Sequence, residues 1–325
     1  MFDVGHVHLQ QLQHLSHELR RQHPNHAALL RATLFTMRIV RECVNLDLAG
    51  EIETSEMAAK TSLYVSKLIQ RCQDEAGLAC PDRDTLCTMR QKRLQEELDA
   101  VETISRAPFH QPKECQHTLR NVIQHLRAKE ATRAFHVSLL QCQKQLDSTY
   151  EASTFAYGST PFSTWVDLFT MPPLVECIAE IRAKQSHASS CTVFGSSTGS
   201  LVFYTALLCG IPVRGIEILP FLVQVATTTE STFQVSHATF HCHDMLETDL
   251  QHVRLLILTS QCWEARLMKK VVEKLTKELP HTALVLDYTQ SLGSLTDGAF
   301  ELVHTAVGSV SWHAQHTMYL FRKIA

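Results

Sequence analysis

The stretch Cys191-Thr192-Val193-Phe194-Gly195-Ser196-Ser197-Thr198-Gly199-Ser200 decides how this chain is read. Its first four residues are apolar or β-branched, which suits a short buried strand; the next six are small and turn-forming, which suits a sharp exit into a helix. The apolar segment 200–209 supplies that helix, and Gly210 can close it in the left-handed region. Small residues at such a turn let the backbone approach a ligand closely, and the first N–H groups of the helix are available to it. A strand-to-helix turn with two glycines also arises for purely geometric reasons, so the flanking sequence has to decide.

Outward from this turn the same alternation continues. Residues 212–218, 238–242, 253–259 and 282–288 are strand-like runs, with helical segments at 219–229 and 264–279 between them. Strand and helix in alternation imply right-handed crossovers, hence a doubly wound, mainly parallel α/β sheet whose ligand lies beyond the carboxyl ends of the strands. Glu217 closes the second run, 22 residues after Gly195, where a carboxylate can accept from both hydroxyls of a ribose. The third run ends in His243-Asp244-Met245, where Asp244 can accept from an exocyclic adenine amine or simply cap a turn.

The series of glycine turn, acid and acid at three successive strand ends resembles the class I S-adenosylmethionine-dependent methyltransferases. The resemblance runs from Tyr157 to Arg322. Within that class, Ala156-Tyr157-Gly158-Ser159-Thr160-Pro161-Phe162 is similar to the cofactor-covering loop of the disruptor-of-telomeric-silencing (DOT-type) protein-lysine methyltransferases. Gly308-Ser309-Val310-Ser311-Trp312 with Thr317-Met318-Tyr319-Leu320 looks like their final antiparallel hairpin. The resemblance implies S-adenosylmethionine as cofactor and a sheet of the methyltransferase type. It implies Phe194, Gly195, Ser197 and Gly199 around the methionine end, Glu217 and Ile218 at the ribose, and Asp244 and Met245 at the adenine. Thr259, Ser260 and Tyr157 would then stand nearest the transferred methyl group, with a protein acceptor, a lysine among the candidates.

The departures from that pattern are specific. Val193 stands where the loop of the class begins with an acid, Ser197 stands at its middle glycine, and Ser159 replaces the glutamate of the covering loop. Thr259-Ser260-Gln261-Cys262-Trp263 replaces the Asn-containing segment after the fourth strand. These changes keep a second reading open, a methyltransferase fold that has become a cofactor-free binding or assembly module. A third reading takes Gly195-Ser196-Ser197-Thr198-Gly199 as the nucleophile elbow of an α/β serine hydrolase, with Ser197, Asp287 and His304 or His313 as its triad. Against it, the sequence before residue 189 is helical, whereas that fold needs strands there. A nicotinamide-dinucleotide enzyme fits less well, because the third glycine is wrongly spaced. His241-Cys242-His243 does not make a metal site alone, since residues 241 and 243 of a strand face one side and 242 the other, so no metal is expected.

Residues 1–150 read differently, as an all-α domain before the α/β domain at 151–325. Apolar positions recur at helical spacing through Leu30, Leu34, Met37, Val40 and Val44, then from Thr54 to Cys72 and from Asp84 to Ile104. Pro108 and Pro112 interrupt the chain, and one long helix is expected from Lys113 to Asp147. This half is the expected surface for a protein substrate or partner.

Composition sets the outer bounds. The 325 residues are 45% hydrophobic and 19% charged, with 30 Lys and Arg against 33 Asp and Glu. The two halves carry near +1 and −4, without the basic excess of a chain that grips nucleic acid or an anionic membrane. Eleven scattered cysteines, an odd number with no Cys-x-x-Cys, favour reduced thiols in an intracellular protein, cytoplasmic or nuclear. No apolar run reaches the 18 or so residues of a membrane span. The first 22 residues are too polar for a secretory signal; Arg20 and Arg21 leave a mitochondrial leader open, and Asp3 and Glu18 weigh against it.

Overall fold

A computed structural model describes residues 2–49, 54–104, 113–146, 150–155, 158–183, 190–296 and 298–324. The helices before the sheet are α1 (Phe2–Gln22), α2 (Ala27–Ala49), α3 (Thr54–Ala76), α4 (Arg83–Thr103), α5 (Lys113–Glu130), α6 (Arg133–Gln145), α7 (Phe162–Leu168) and α8 (Pro172–Ala183). Then follow β1 (Cys191–Phe194), α9 (Ser200–Cys209), β2 (Val213–Glu217), α10 (Pro220–Phe233), β3 (Ala238–Cys242), β4 (Leu255–Leu258), α11 (Ala265–Glu278) and β5 (Leu284–Asp287). The last elements are α12 (Ser291–Leu295), β6 (Phe300–Val310) and β7 (His313–Lys323).

Two compact units divide the chain, one of residues 1–95 with 131–141 and one of residues 96–130 with 142–325. Their limits differ from a simple boundary at 150, because α5 belongs to the unit that holds the sheet. In the first unit α1, α2 and α3 close around Leu12, Leu15, Leu19, Leu29, Val40, Val44, Val65, Leu68 and Cys72. Residues 2–22, weighed above as a leader, form α1, whose Leu12, Leu15 and Leu19 are buried. The expected core positions Leu34 and Met57 are exposed instead, together with Phe35 (65%) and Tyr64 (69%). The expected helix from Lys113 to Asp147 is two helices, because Thr132 accepts the Phe135 amide through its Oγ1 and opens a new helix at Arg133. Apolar spacing runs through that break without a Gly or Pro to mark it. Pro108, Pro112 and Asp147 lie outside the described residues.

The second unit is built on a seven-stranded sheet of order β3-β2-β1-β4-β5-β7-β6, parallel except for β7 against β5 and β6. This is the expected doubly wound sheet with a terminal antiparallel hairpin. β1, β4 and β5 are buried along their whole length, which is why they read as continuous apolar runs rather than as alternating ones. Helix α9 is buried nearly all round, whereas α11 presents only Leu267, Met268, Val271, Val272 and Leu275 to the core. β7 runs antiparallel to β5 with Asp287 beside Tyr319, so the hairpin turn extends past the carboxyl end of β5. Among the described residues, no helix is long and apolar enough to cross a membrane.

Leu119, Val122, Ile123 and Leu126 form the buried stripe of α5. Leu126→Ala should therefore cost about 2–5 kcal/mol, the range for truncating a fully buried leucine. Leu63→Ala, at an exposed position of α3, should stay within about 0.5 kcal/mol. Chemical denaturation of the two variants measures the difference.

Candidate functional site

Three strand ends bring the expected residues to one edge of the sheet. β1 and β2 are neighbours, as are β2 and β3, so the glycine turn, Glu217 and Asp244 follow one another along the edge. Gly195 and Gly199 have φ of +71° and +88°, and Ser197 has φ +54°. A Cβ on Gly199 would stand 2.7 Å from the Phe240 ring, and one on Gly195 would collide with the Thr259 hydroxyl. Both glycines are required by the packing of the turn. Ser197 holds a left-handed conformation that costs a serine about 1–3 kcal/mol and a glycine almost nothing.

Glu217 is what keeps the turn in that conformation. It is only 8% exposed. One carboxylate oxygen accepts the Ser197 amide at 2.9 Å, and the other accepts the amides of Ile218 and Leu219 at 2.9 and 3.0 Å. Burial raises its pKa, and the three backbone donors oppose that rise. Glu217 is therefore not a solvated strand-end acid. The amides of Gly195 and Ser196 both turn back to the Ile216 carbonyl, at 2.9 and 3.0 Å. Ser197 Oγ is buried and has no hydrogen-bond partner among the described residues.

From the other side the turn is held by helices that precede the sheet. Arg127 of α5 makes a bidentate pair with Glu97 of α4 at 2.9 and 3.0 Å and a third bond to Glu130 at 2.9 Å. Glu130 accepts from the Thr198 hydroxyl at 3.1 Å, and Glu97 accepts the Phe162 amide at 2.9 Å. Tyr204 of α9 accepts from Arg127 at 3.2 Å. One half-buried guanidinium thus links the glycine turn, the start of α7 and α9. The flanking carboxylates and Tyr204 hold its pKa well up against burial.

The remaining expected residues occupy distinct places. The Phe194 side chain lies in the hydrophobic core, and its carbonyl accepts from Thr259. The Thr259 hydroxyl, 3.0 Å from the carbonyls of Phe194 and Gly195, fastens the end of β4 to the turn. Ile218 is half-buried beside Glu217, and Met245 is half-buried against the core. Asp244 caps a 3-10 turn at Met245–Glu247 through the Leu246 amide and accepts from the Tyr150 hydroxyl. Ser260 donates to Asp287, which also accepts the amide and hydroxyl of Thr289, each at 3.2 Å. Burial pushes the Asp287 carboxyl up to about 6. Tyr157 and Ala156 lie outside the described residues. The rest of that loop is tied to the hairpin turn by Ser159 and Ser311, through bonds of 2.9 and 2.8 Å, and to Tyr288 by Thr160.

Sequence reasoning missed the Glu97–Arg127–Glu130 cluster and Tyr150, because no local motif marks a pairing across 30 or 94 residues. It also missed the aromatic group at the hairpin, where His316 Nε2 donates to the Tyr288 carbonyl at 2.9 Å and the imidazole stacks on the Tyr288 ring with centroids 5.8 Å apart. A backbone carbonyl only accepts, so His316 Nε2 is the donor and carries the hydrogen.

The serine-hydrolase triad is not assembled. Ser197 Oγ has no partner, the Asp287 carboxylate is taken by Ser260 and Thr289, His304 is exposed on β6, and His313 Nδ1 accepts the Gln315 amide. The His241 and His243 rings lie 5.9 Å apart at the end of β3, and His243 pairs with Thr248. Among the described residues, no group of three or more His, Cys, Asp or Glu converges as metal ligands would.

No family model matches the chain. No curated protein matches it either. Among solved structures it is similar to an RNA methyltransferase from Salinibacter ruber in complex with S-adenosyl-L-homocysteine. That match is 20% identical, covers 47% of this chain and 92% of the other, and has a TM-score of 0.36. A geranyl diphosphate C-methyltransferase from Streptomyces coelicolor is 10% identical over 57% of this chain and 96% of its own, with a TM-score of 0.37. Fibrillarin from Aeropyrum pernix is 13% identical over 41% and 66%, with a TM-score of 0.33. At these values the fold assignment rests on the strand order.

Two outcomes follow from the site's geometry. Ser197→Gly should raise stability by up to about 1 kcal/mol, and Ser197→Val should lower it, since a β-branched residue fits φ +54° worst. Thermal unfolding reads both. Asp287 favours its protonated form in the fold, so its contribution is largest below its ordinary value of 3.8 and is lost as the pH rises to about 6. Asp287→Asn should remove about 3 kcal/mol of that pH dependence, seen as the difference between the two stability profiles from pH 4 to 7.

Proposed function

We propose that the chain is an S-adenosylmethionine-dependent methyltransferase. The observation that carries this reading is the alignment of the glycine turn, Glu217 and Asp244 along adjacent carboxyl ends of a sheet ordered β3-β2-β1-β4-β5-β7-β6. The residues present fit such a cofactor. Ser197 Oγ is a buried polar atom without a partner, as a site for the amino-acid end would have, and the N-terminal turn of α9 adds amide donors beside it. Glu217 Oε2 accepts one hydrogen bond and retains capacity for a ribose hydroxyl.

When bound, the cofactor supplies the activated methyl group on its sulfonium. The chain's own residues then bind, orient and exclude water, and orientation supplies most of the rate. Thr259 fixes the end of β4 against the turn, and Ser260 and Asp287 form the neighbouring polar wall. The acceptor reading remains a protein, through the helical unit, on the exposure of Phe35 and Tyr64. No strong nucleic-acid binding is proposed, given the net charge of −3.

A cofactor-free module is the second reading. It is favoured by Tyr150, whose hydroxyl already occupies Asp244. Calorimetry with S-adenosylhomocysteine decides between the two: binding supports the enzyme, and no heat from folded protein near millimolar concentration removes it. Glu217→Gln keeps the shape of the side chain and one carbonyl acceptor. Its amide nitrogen cannot accept, so it loses a backbone bond as well as a ribose bond, and it should weaken that binding at least tenfold, about 1.4 kcal/mol or more. Unchanged affinity would place the ribose elsewhere.

A further inference from the structure

We propose that Tyr150 is a tethered competitor for the adenine position, so that an adenine nucleoside enters this site by displacing the Tyr150 side chain. The inference rests on the cofactor reading above and concerns the regulation of that same site. Asp244, the residue expected to receive the adenine amine, already accepts one hydrogen bond on each carboxylate oxygen, and the Tyr150 phenol lies against it. Oδ1 accepts the Leu246 amide at 2.9 Å, and Oδ2 accepts the Tyr150 hydroxyl at 2.5 Å. Leu246 is two residues away and turns the chain; the Tyr150 bond comes from 94 residues away and is the one that can be exchanged.

The ring is as well placed as the hydroxyl. Tyr150, Met245, Leu246 and Trp263 are all half-buried and pack against the core cluster under β1, β4 and β5. A flat ring on an apolar floor, with one donor aimed at a carboxylate, presents the same features by which adenine and its amine would bind there. Burial and the Asp244 carboxylate both raise the tyrosine pKa, so the hydroxyl remains a donor.

The segment carrying Tyr150 is fastened at several points of the second unit. The Glu151 amide donates to Glu264 at 2.7 Å, in the connection between β4 and α11. The 3-10 turn Ala152–Phe155 lies against the turn Ser260–Cys262, and Gln143 donates to the Phe155 carbonyl at 2.8 Å. Held this way, the phenol faces Asp244 at an effective concentration of the millimolar order, as intramolecular competitors do. Apparent affinity for an incoming ligand falls by the fraction of molecules in which the ring is out.

The test uses the full chain with S-adenosylhomocysteine as the probe. Calorimetry on wild type, Tyr150→Phe and Tyr150→Ala should show tighter binding in both variants, by about tenfold for Tyr150→Phe, since only the bond to a charged acceptor is removed. Nitration of tyrosines by tetranitromethane, mapped by mass spectrometry, gives a second readout: the probe should increase modification of Tyr150 in the wild type. Equal or weaker binding in the variants, or protection of Tyr150 by the probe, overturns the competition and leaves the cofactor reading standing. Absence of binding in wild type and both variants, all folded by circular dichroism, overturns the cofactor reading and this inference with it.

Discussion

One buried carboxylate governs the geometry of the candidate site. Glu217 gathers the amides of Ser197, Ile218 and Leu219, so the end of β2 and the turn after β1 cannot move independently. Burying a carboxylate costs several kcal/mol unless its oxygens are satisfied. Three backbone donors meet that cost here, two from just past the end of β2 and one from the segment hardest to hold, Ser197 at φ +54°. A carboxylate placed under a strained turn is a structural device, and on the cofactor reading proposed above it is a ligand-binding device as well. The bond to Ser197 orders the turn, and the remaining capacity of the same oxygen faces the edge where ligands of such sheets bind.

The helices before the sheet extend this control. Arg127 binds Glu97 and Glu130 in a setting where a lone guanidinium would be untenable, and Glu130 carries the interaction to Thr198 in the glycine turn. Removing one member of a buried ionic group leaves the others uncompensated, at a cost of about 3–5 kcal/mol. Residues 96–130 are therefore part of the sheet unit in an energetic sense as well as a spatial one. A glycine turn with Val193 before it and Ser197 at its middle is kept in shape by contacts from α4, α5, β2 and β4.

How much of this the sequence discloses depends on the range of the interaction. β1, β3 and α9 match their expected limits to the residue, because turn residues bracket each apolar run. The edge carrying Gly195, Glu217 and Asp244 is legible for the same reason: position in an alternating pattern fixes which end of a strand a residue occupies. The break at Thr132 is hidden, since a capping threonine inside a continuous apolar rhythm looks like any other polar residue. Arg127 and Tyr150 are hidden more deeply. Their roles exist only through partners remote in sequence, and a lone arginine or tyrosine in a helical or irregular stretch has no local signature.

Val193 and Ser197, the departures noted in the sequence, also bear on the cofactor reading proposed above. Val193 is fully buried in β1 beside Gly215, so an acid there would need a donor that the turn amides no longer offer: Gly195 and Ser196 give theirs to Ile216, and Ser197 gives its own to Glu217. An apolar residue at 193 is consistent with a turn already satisfied from β2. On that reading, spare capacity lies with the Ser196 and Ser197 hydroxyls, which have no partner among the described residues, with the second lone pair of Glu217 Oε2, and with Asp244 once Tyr150 leaves. A site of this kind binds by exchange of internal hydrogen bonds for external ones, and such an exchange is nearly balanced in energy. On the proposed competition, affinity is set less by how many groups point at the ligand than by how easily the chain gives up the bond from Tyr150 to Asp244.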